Sequence, residues 1–521
     1  MEYSSSIVKI GKVALGGKNP VRIQSMTTTN TLDTDATVRQ VKQLALAGCD
    51  YVRITTQNIK EAENLGEIKN KLKKLDVEIP LIADVHFNPK VAEVAAKFVE
   101  KVRINPGNYI GASVEDDKDV PDRIAHNLSP LIHICKQYNT AIRIGVNHGS
   151  LSKRILYLYG NTAVGMVESI MEFVRVCNEL DFHELVLSLK ASNVVTMIEA
   201  NMLLVEKLSE TGLNYPIHLG VTEAGSKEEG RIKSAAGIGY LLAHGIGDTI
   251  RVSLTEDPVE EIPVAQKLVD FFGQRKDITK EISSTITYFP KSKFNVKPPL
   301  VITSGDSTES DLSAEKQTKA IAKPKGNCLP ERSETCLPTR QESQTVTQLN
   351  QPNVELYSIH KINYNKLSYD DLVIVATVEA SVIMLTRKAD GIWIENSDLT
   401  SSDNIAKLVL NIFQVLGLRI TKTEYIACPT CGRSRIDVIQ QLEIVKDQTA
   451  HLPSLKIAVM GCAVNGPGEM ADAHYGCVGA GKGKVNIYKG RDIVQRNVPQ
   501  YLVSEILIKL IKENNDWKEI E

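Results

Sequence analysis

The chain has 521 residues, of which 42% are hydrophobic and 24% are charged, and its formal net charge is −2. That length is more than one compact core usually holds, so two or three domains are expected. The near-neutral charge excludes a global attraction to nucleic acid or acidic membranes, and any anion must therefore be bound by local groups.

No targeting or membrane segment is predicted. No apolar run approaches the roughly 18–20 residues that span a bilayer, and the first residues contain an early Glu2 and no apolar stretch. We therefore expect a cytoplasmic protein that keeps its thiols reduced. Its nine cysteines are then core residues, metal ligands or nucleophiles rather than disulfides.

Short β-branched runs alternate with amphipathic segments from residue 20 to about 255. Eight β–α units in about 250 residues predict a TIM (β/α)8 barrel, with a doubly wound open sheet as the alternative. The predicted helices include Ala36–Ala47 and Val194–Leu208. The predicted strands are Arg22–Met26, Tyr51–Thr56, Pro80–Phe87, Lys101–Gly107, Ala141–Asn147, Leu185–Ser192, Ile217–Gly225 and Thr249–Thr255.

Polar residues stand at or near the carboxyl end of almost every predicted strand, and in a barrel these ends form one mouth. Five of them are cations, which repel one another unless a multiply charged anion lies among them. A diphosphate has the right size, although each cation could instead pair with a carboxylate of the barrel. The five cations are Arg53, Arg103, Arg143, Lys190 and Arg251.

Three further groups at this mouth could act on a substrate. Glu223 is the best-placed carboxylate for acid–base work, and the cations should keep it ionised unless burial opposes them. Asp84 and His86 share one strand face and could orient a substrate or move protons. A salt bridge for Glu223 and a structural role for His86 are the alternatives.

The barrel pattern fades after Pro263, and residues of about 290–352 are rich in Ser, Thr, Gln, Lys and Pro. This composition predicts a flexible linker or disordered insert, in which Cys328 and Cys336 are not expected to bind metal. Order is predicted to return near Val354. The elements expected there are strands at Leu372–Ala376 and Gly391–Glu395, a helix at Ile405–Leu416, and an α/β unit from Thr421 that ends in a helix at Leu502–Asn514.

The strongest chemical signal is Cys428-Pro-Thr-Cys431, followed by Cys462 in a Gly/Pro/Asn-rich loop that runs to Glu469. Two cysteines in a CxxC can bind one metal centre, and free backbone N–H groups in such a loop can stabilise a charged cluster. Spacing alone leaves a structural zinc site equally possible and a redox dithiol less so. The fourth ligand could be Glu469, Cys477, His474 or Asp472.

Other cysteines and one glycine-rich run have structural interpretations. Cys49, Cys135 and Cys177 lie in apolar contexts that are typical of core residues. The run Gly479–Lys484 has neither Walker A nor dinucleotide spacing, and it therefore predicts a tight turn.

At these residues the chain resembles the 4-hydroxy-3-methylbut-2-en-1-yl diphosphate synthases, over about 10–260 and 418–490. The matches are long and ordered, which makes the resemblance specific. The matching stretches are Arg22–Thr28, Val102–Asn108, Arg143–Leu151, Lys190–Asn193, His218–Gly225, Gly247–Leu254, Lys422–Arg433 and Met460–Glu469.

The resemblance implies a TIM barrel and a C-terminal iron–sulfur domain with one [4Fe–4S] cluster. It implies that Cys428, Cys431, Cys462 and Glu469 hold the cluster, and that Glu223 is the acid–base carboxylate. The implied reaction is the reductive ring opening and dehydration of 2-C-methyl-D-erythritol 2,4-cyclodiphosphate in the non-mevalonate isoprenoid pathway. Reduced ferredoxin or flavodoxin would supply two electrons. The implied substrate-binding residues are Arg53, Arg103, Arg143, Asn147, Lys190, Ser192 and Arg251.

The middle of the chain departs from the simplest family pattern. The phrases His148–Leu151 and Lys422–Tyr425 are similar to the larger, insert-containing form, yet the insert here is short. We expect a barrel at 1–270, an insert at 271–417 and a cluster domain at 418–521. Closure of the site within one chain is favoured, and a homodimer remains possible.

Two rival functions fit part of the pattern. A barrel transferase or aldolase with structural zinc would be colourless and active in air without an electron donor. A non-catalytic iron–sulfur sensor would need no cationic mouth, so an Arg143→Ala change should leave its behaviour intact.

Overall fold

The described part of this computed structural model covers residues 3–109, 120–274, 276–291, 298–304, 310–313, 356–396, 400–464 and 466–519. The chain forms two compact units, one of Met1–Thr279 with Gln414–Glu521 and one of Lys280–Phe413. The predicted linker lies mostly outside the described residues, and Cys328 and Cys336 lie outside them entirely. None of the described helices combines the length and apolar character that a bilayer crossing needs.

The first unit begins with a small antiparallel hairpin of β1 (Val8–Ile10) and β2 (Val13–Leu15). Its buried side chains form one apolar cluster with Tyr51, Ile82, Ala141 and Val186, at or near the amino ends of barrel strands. Burial of this apolar surface covers the bottom of the barrel. The opposite mouth is therefore the end where ligands can enter.

Eight parallel strands then form the barrel, as the sequence predicts. They are hydrogen-bonded in the order β8-β7-β6-β5-β4-β3-β10-β9, and a parallel bridge between Leu187 and Ile217 closes the ring. The last two strands are shorter than predicted, because the residues after them leave the sheet to line the mouth. The strands are β3 (Arg22–Met26), β4 (Tyr51–Thr56), β5 (Leu81–Val85), β6 (Lys101–Ile104), β7 (Ala141–Asn147), β8 (Leu185–Lys190), β9 (His218–Leu219) and β10 (Thr249–Ile250).

Helices surround the barrel, and side-chain caps fix where several of them begin. Asp33, Asn58 and Asn193 each accept a backbone N–H from the first turn, which satisfies a donor that the helix itself leaves free. The helices of this part are α1 (Thr34–Leu46), α2 (Ile59–Lys74), α3 (Pro89–Ala95), α4 (Pro106–Tyr109), α5 (Val120–Tyr138), α6 (Lys153–Tyr159), α7 (Ala163–Glu179), α8 (Val194–Glu210), α9 (Lys227–Ser234), α10 (Tyr240–Ala243) and α11 (Glu261–Phe272).

The described residues of the second unit form a five-stranded sheet and two helices. The strand order is β11-β14-β15-β12-β13, in which β11 and β14 pair antiparallel and the other described neighbours pair parallel. The predicted strand at Gly391–Glu395 and the predicted helix at Ile405–Leu416 are both present. The elements are β11 (Thr285–Pro290), β12 (Leu300–Thr303), β13 (Leu312–Ser313), β14 (Leu356–Tyr364), α12 (Tyr369–Arg387), β15 (Gly391–Asn396) and α13 (Ser402–Val415), which crosses into the first unit at its last residues.

The strand predicted at Leu372–Ala376 is wrong, because these residues lie inside α12. The apolar run continues to Met384 without a turn signal, and its length favours a buried helix over a strand. Ser368 caps the helix by accepting the N–H of Asp371, and Lys388 ends it in the left-handed conformation. Burial on nearly all sides hides the periodicity that would have identified the helix.

The C-terminal part of the first unit is a mixed sheet in the order β16-β17-β18-β19-β20. Its first three strands are parallel and its last three are antiparallel. The run Gly479–Lys484 is the β18–β19 hairpin turn, so the predicted tight turn is confirmed. The elements are β16 (Glu424–Ala427), α14 (Val438–Thr449), β17 (Lys456–Met460), α15 (Gly466–Glu469), β18 (Tyr475–Gly481), β19 (Lys484–Lys489), β20 (Asp492–Pro499) and α16 (Val503–Glu513).

Candidate active site

The five predicted cations meet at the barrel mouth, and all of them are buried. They line a single cavity with residues of the C-terminal part of the same unit. Six cations but only two carboxylates line this cavity, which gives it an excess of positive charge. The charged and sulfur-bearing lining residues are Arg53, Asp84, Arg103, Arg143, Lys190, Glu223, Arg251, Cys428, Cys431, Arg433 and Cys462, together with Met26 and Met460.

Two of the five cations are neutralised within the barrel. Arg103 donates to Asp84 at 3.1 Å, and Arg251 pairs with Glu261 of α11 at 2.9 Å. Glu261 also accepts the Ser25 hydroxyl at 2.8 Å, so its position is well defined. Glu261 was not identified from the sequence, because a helix residue after the last strand carries no signal of where its side chain points.

The other barrel cations have no such partner among the described residues. Arg53 directs its guanidinium at the Met26 sulfur, and Arg143 reaches only the Gln24 amide oxygen at 3.4 Å. Neither cation, nor Lys190, forms an ion pair with a carboxylate in the described ranges. Burial and neighbouring cations hold the pKa values of Arg143 and Lys190 well below their usual range. A bound anion would offset this repulsion.

Asp84 connects the mouth to the C-terminal part. Its carboxylate receives Arg103 on one oxygen and both terminal nitrogens of Arg433, at 3.2 Å each, on the other. Arg53, Arg103 and Arg433 together hold the pKa of Asp84 well below its usual range, although burial alone would raise it. The sequence gives Arg433 no predicted role, and its position two residues after Cys431 is the one signal that points to the site.

His86 is a neutral ring in this network. Its Nε2 lies 2.6 Å from an Arg103 nitrogen, which can only donate, so Nε2 accepts. Burial and the neighbouring Arg103 and Arg433 lower its pKa to about 3. These contacts fix its orientation at the cavity wall.

Glu223 lines the cavity from the segment after β9. Its backbone is in the left-handed region, with φ of 50°. One carboxylate oxygen has no hydrogen-bond partner among the described residues. Burial raises the pKa of Glu223 to about 7, and Thr222, Lys190 and Arg251 oppose that shift only in part. The carboxyl can therefore hold or release a proton near neutral pH.

The remaining predicted barrel residues lie close to this centre. Asn147 lines the cavity at the end of β7. Ser192 is buried outside the lining, where its hydroxyl is near Glu469. The two residues thus lie on different sides of the cavity wall.

The three motif cysteines enter the same cavity from the C-terminal part. Each is partly buried and none is in a disulfide. The Gly461 N–H donates to the Cys428 sulfur at 3.2 Å, which is the kind of backbone contact predicted for this loop. Burial and the neighbouring Cys462 and Cys431 raise the pKa of the Cys428 thiol. Within the described ranges, no three His, Cys, Asp or Glu side chains meet closely enough for one metal ion.

The four candidates for a further ligand are in different environments. Cys477 is part of the apolar core of the sheet, and the His474 ring accepts the Lys456 N–H at the surface. Asp472 lies 3.1 Å from the His148 ring. Glu469 is completely buried next to the cavity, and neither of its oxygens has a partner of normal hydrogen-bond geometry among the described residues. Burial and the nearby Glu223 hold its pKa well above the usual range.

Direct contacts join the barrel to the cysteine-bearing part within this chain. The Thr255 hydroxyl donates to the Ala427 carbonyl oxygen at 3.1 Å, and the Lys233 ammonium donates to the Tyr425 carbonyl oxygen at 3.0 Å. The α15 turn packs on the barrel where two glycines meet. A Cβ on Gly468 would lie 1.5 Å from the Gly149 carbonyl oxygen, so only glycine allows this approach.

Arg143 and Cys462 therefore line the same cavity although more than 300 residues separate them in the sequence. The remaining predicted cysteines have structural positions. Cys49, Cys135 and Cys177 are buried core residues, as expected. Burial raises the pKa of each of these thiols.

Comparison with known proteins gives two family matches and full-length relatives. Residues 5–266 match the GcpE TIM-barrel domain, and residues 424–513 match the GcpE protein C-terminal domain. A "4-hydroxy-3-methylbut-2-en-1-yl diphosphate synthase (flavodoxin)" from Bacteroides fragilis is 40% identical over 604 residues, covering 99% of this chain and 96% of that protein. The protein of the same name from Porphyromonas gingivalis is 40% identical over 570 residues, covering 99% and 98%.

The similarity to solved structures is weak. The N-acetylneuraminic acid synthetase from Leptospira borgpetersenii is 14% identical, covers 52% of this chain and 92% of its own, and has a TM-score of 0.35, which is too low to support an argument. The two family matches and the full-length relatives are sufficient by themselves to assign the family. This chain belongs to the GcpE family, the 4-hydroxy-3-methylbut-2-en-1-yl diphosphate synthases.

Proposed function

We propose that this chain opens and dehydrates 2-C-methyl-D-erythritol 2,4-cyclodiphosphate to (E)-4-hydroxy-3-methylbut-2-enyl diphosphate, as part of isoprenoid biosynthesis. One observation carries the proposal: Arg143 and Cys462 line one cavity, so anion-binding and cysteine-based redox groups can reach the same ligand. Overall, two electrons and two protons enter, a ring C–O bond breaks, and one hydroxyl oxygen leaves as water.

The diphosphate is proposed to bind among the barrel cations. Arg53, Arg143 and Lys190 lack carboxylate partners in the described part of the chain, so they can give their hydrogen bonds to phosphate oxygens. Arg103 and Arg251 are held by Asp84 and Glu261 and can present their remaining N–H groups. Asn147 and Ser192 are proposed to orient the rest of the substrate, Asn147 from the cavity wall and Ser192 from behind the lining next to Glu469. The excess positive charge of the lining favours an anionic ligand.

A [4Fe–4S] cluster is proposed at Cys428, Cys431, Cys462 and Glu469. The Glu469 carboxylate is buried without regular hydrogen bonds, and a bound cation would compensate it. The Gly461 N–H donates to the Cys428 sulfur, which is a contact that stabilises a cluster. When bound, such a cluster supplies single electrons at low potential to a ligand in the cavity. The barrel cations would orient the substrate beside it, and the closed cavity would limit access of water.

Glu223 is proposed as the acid–base group of the reaction. Its raised pKa lets it carry a proton at neutral pH, and it lines the cavity where the substrate would lie. The loss of a hydroxyl group as water needs a proton donor at the leaving oxygen. Two carboxyl groups line the cavity. Asp84 is held by ion pairs with Arg103 and Arg433, whereas Glu223 has no such ion pair among the described residues.

The partners and organisation follow from the same account. Reduced flavodoxin, which the relatives' names include, or ferredoxin is proposed as the electron donor. A cytoplasmic location would keep the cysteine thiols reduced. We propose three functional segments, the barrel at 1–270, the insert at 271–417 and the cluster domain at 418–521. The contacts between the barrel and the cysteine-bearing part favour a site that closes within one chain, whether or not the protein forms a homodimer.

The test is an anaerobic assay of the purified, cluster-replete protein with the cyclodiphosphate and dithionite–viologen as a chemical donor. The expected result is the linear allylic diphosphate, detected by mass spectrometry or ³¹P NMR. A cluster-replete protein that yields no linear product would refute the proposal. A colourless zinc protein that is active in air without a donor would support the aldolase alternative instead.

The ligand assignment predicts that Cys462→Ser loses the cluster and the activity together. The matched control is Cys477→Ser, since Cys477 belongs to the apolar core and not to the cavity. Iron content and the visible absorption of the cluster are measured before turnover. If Cys462→Ser keeps a full cluster, another group is the true ligand.

A further inference from the structure

The β18–β19 hairpin carries the Gly479–Lys484 run, which the proposed reaction leaves without a role. Lys482 and Lys484 are exposed at its tip. The Gly483 N–H at this tip donates to the Arg435 carbonyl oxygen at 2.9 Å, and the Gln500 N–H donates to the Gly483 carbonyl oxygen at 3.0 Å. These bonds place exposed Arg435 and Tyr501 beside the two lysines. We call Arg435, Lys482, Lys484 and Tyr501 the hairpin patch.

The hairpin patch is joined directly to both cysteine loops. The Arg435 N–H donates to the Gly461 carbonyl oxygen at 2.8 Å, one residue before Cys462. The next residue toward the CxxC, Ser434, donates its N–H to the Cys431 carbonyl oxygen at 2.9 Å. Short hydrogen-bonded paths therefore run from this surface to two of the three cysteines. The barrel contacts described above involve other residues, namely Arg433, Ala427 and Gly468.

The patch combines positive charge with an exposed aromatic side chain. In the described part of the chain its three cations form no ion pair with a carboxylate, and Tyr501 is 82% exposed. Exposed Arg and Tyr residues are enriched in protein interfaces. The nearby Asp437 is engaged as the cap of α14, where it accepts the Gln440 N–H. The surface is thus positively charged next to the cysteine loops, while the chain as a whole carries −2.

We propose that the hairpin patch is the docking surface for the electron donor, a carrier protein with an acidic face around its redox group. This inference rests on the proposed function, because it assumes that electrons enter through the cysteine-bearing part. Opposite charges would steer the carrier to this surface and fix its orientation. Each encounter would deliver one electron, with the carrier's reduced flavin oxidised from hydroquinone to semiquinone. Two encounters would supply the two electrons that the proposed reaction uses, and a cluster held by the cysteines would receive them one at a time.

The test compares two donors with one charge-reversal variant. Lys482→Glu/Lys484→Glu is assayed as cluster-replete protein with a reduced recombinant bacterial flavodoxin and, separately, with dithionite–viologen. The matched control is Lys73→Glu/Lys74→Glu at the end of α2, which changes the net charge equally on the barrel surface. We expect flavodoxin-driven kcat/KM to fall about tenfold or more at low salt in the hairpin variant, with viologen-driven turnover unchanged.

Two outcomes would overturn the docking proposal. One is an equal flavodoxin-driven rate in the hairpin and control variants, and the other is a flavodoxin rate that does not depend on salt in the parent protein. If charge reversal also lowers the viologen rate, Lys482→Gln/Lys484→Gln replaces it, and the donor-specific loss is then expected to be smaller but still present.

Direct binding separates this proposal from the assigned reaction. Calorimetry of flavodoxin with the cluster-replete protein needs no substrate, and it should show salt-sensitive binding that Lys482→Glu/Lys484→Glu abolishes. Binding without turnover in the viologen assay would refute the assigned reaction and leave the docking surface standing. If the protein turns over with viologen and the hairpin variant binds flavodoxin as the parent does, the docking proposal is refuted and the proposed reaction stands.

Discussion

Glu223 combines three properties that rarely occur together in one residue. Its backbone has a φ of 50°, its side chain is buried, and its pKa is raised to about 7. A non-glycine residue in the left-handed region costs free energy, so the surrounding structure must hold it there. The sequence identified this carboxylate and predicted that the cations keep it ionised unless burial opposes them. The structure shows that burial outweighs the neighbouring cations in setting its pKa.

Glu223→Gln should lower kcat on the order of 10²–10⁴-fold, because the amide cannot donate the proton. A carboxyl with a pKa of about 7 carries its proton below that pH and loses it as the pH rises through 7. The parent enzyme's kcat should therefore fall above about pH 7, and the variant's residual activity should lack that limb. The surface change Glu206→Gln on α8 serves as the control. An unaltered pH profile in Glu223→Gln would assign the proton to another group.

Asp84 is the carboxylate through which two of the cavity's cations are held. It receives Arg103 from the barrel and Arg433 from the cysteine-bearing part. Its strand position was predictable, since polar residues at barrel strand ends lie at the mouth. Its partners were not, because ion pairs between distant segments leave no pattern in a single sequence. The same reason explains why Lys233, whose partner Tyr425 lies 192 residues away, was not identified.

Asp84→Asn should destabilise the protein by about 3–5 kcal/mol, because it leaves two buried guanidinium groups without their counter-ion. The control is Asp35→Asn, whose partner Lys71 is exposed and where little change is expected. Chemical denaturation of both variants measures the difference. Equal stability of the two would mean that water already compensates Arg103 and Arg433. If Asp84→Asn loses the folded state completely, Asp84 is the residue that positions the barrel and the cysteine-bearing part relative to each other.

At the scale of secondary structure, α15 and the barrel segment after β7 depend on a close glycine contact. A Cβ on Gly468 would approach the Gly149 carbonyl oxygen to 1.5 Å, and backbone atoms cannot move aside as a flexible side chain can. The next residue is Glu469, the proposed fourth ligand. The glycine contact therefore sets the distance between the barrel and the cysteine-bearing part directly beside Glu469.

Gly468→Ala should separate α15 from the barrel and lower viologen-driven turnover at least tenfold, an effect of the size that small displacements in an active site produce. Gly481→Ala is the matched control, because a Cβ there meets nothing within 4 Å. Turnover and cluster absorption are measured for both. Parent-level activity in Gly468→Ala would show that the two parts do not need this contact.

The elements themselves were predictable to different degrees. Barrel strands such as Ala141–Asn147 coincide with their predicted bounds, because turn residues and capped helices separate them. The helix α12 was predicted in part as a strand, since an apolar run that is buried on nearly all sides has no visible period. The β9 and β10 strands are shorter than predicted, because the segments after them leave the sheet and line the cavity with the polar residues Thr222, Glu223, Arg251 and Ser253.

At the scale of the whole molecule, the account depends on two distant segments that close over one cavity. The sequence predicted each half of the site from local patterns: cations at strand ends, and cysteines in a CxxC and a glycine-rich loop. Their meeting could not be derived from either pattern. In the structure it rests on Lys233, Thr255 and Arg433, whose partners all lie across the contact.

Mixing two inactive variants tests this closure most directly. Arg143→Gln removes a barrel cation and Cys462→Ser removes a cysteine, and the two chains are co-expressed, purified together under anaerobic conditions and assayed with dithionite–viologen. If each chain closes over its own cavity, the mixture stays as inactive as the separate variants. Recovery of roughly a quarter of the parent activity, as random pairing in a two-fold dimer would give, would show that the barrel of one chain works with the cysteines of another and would contradict the account.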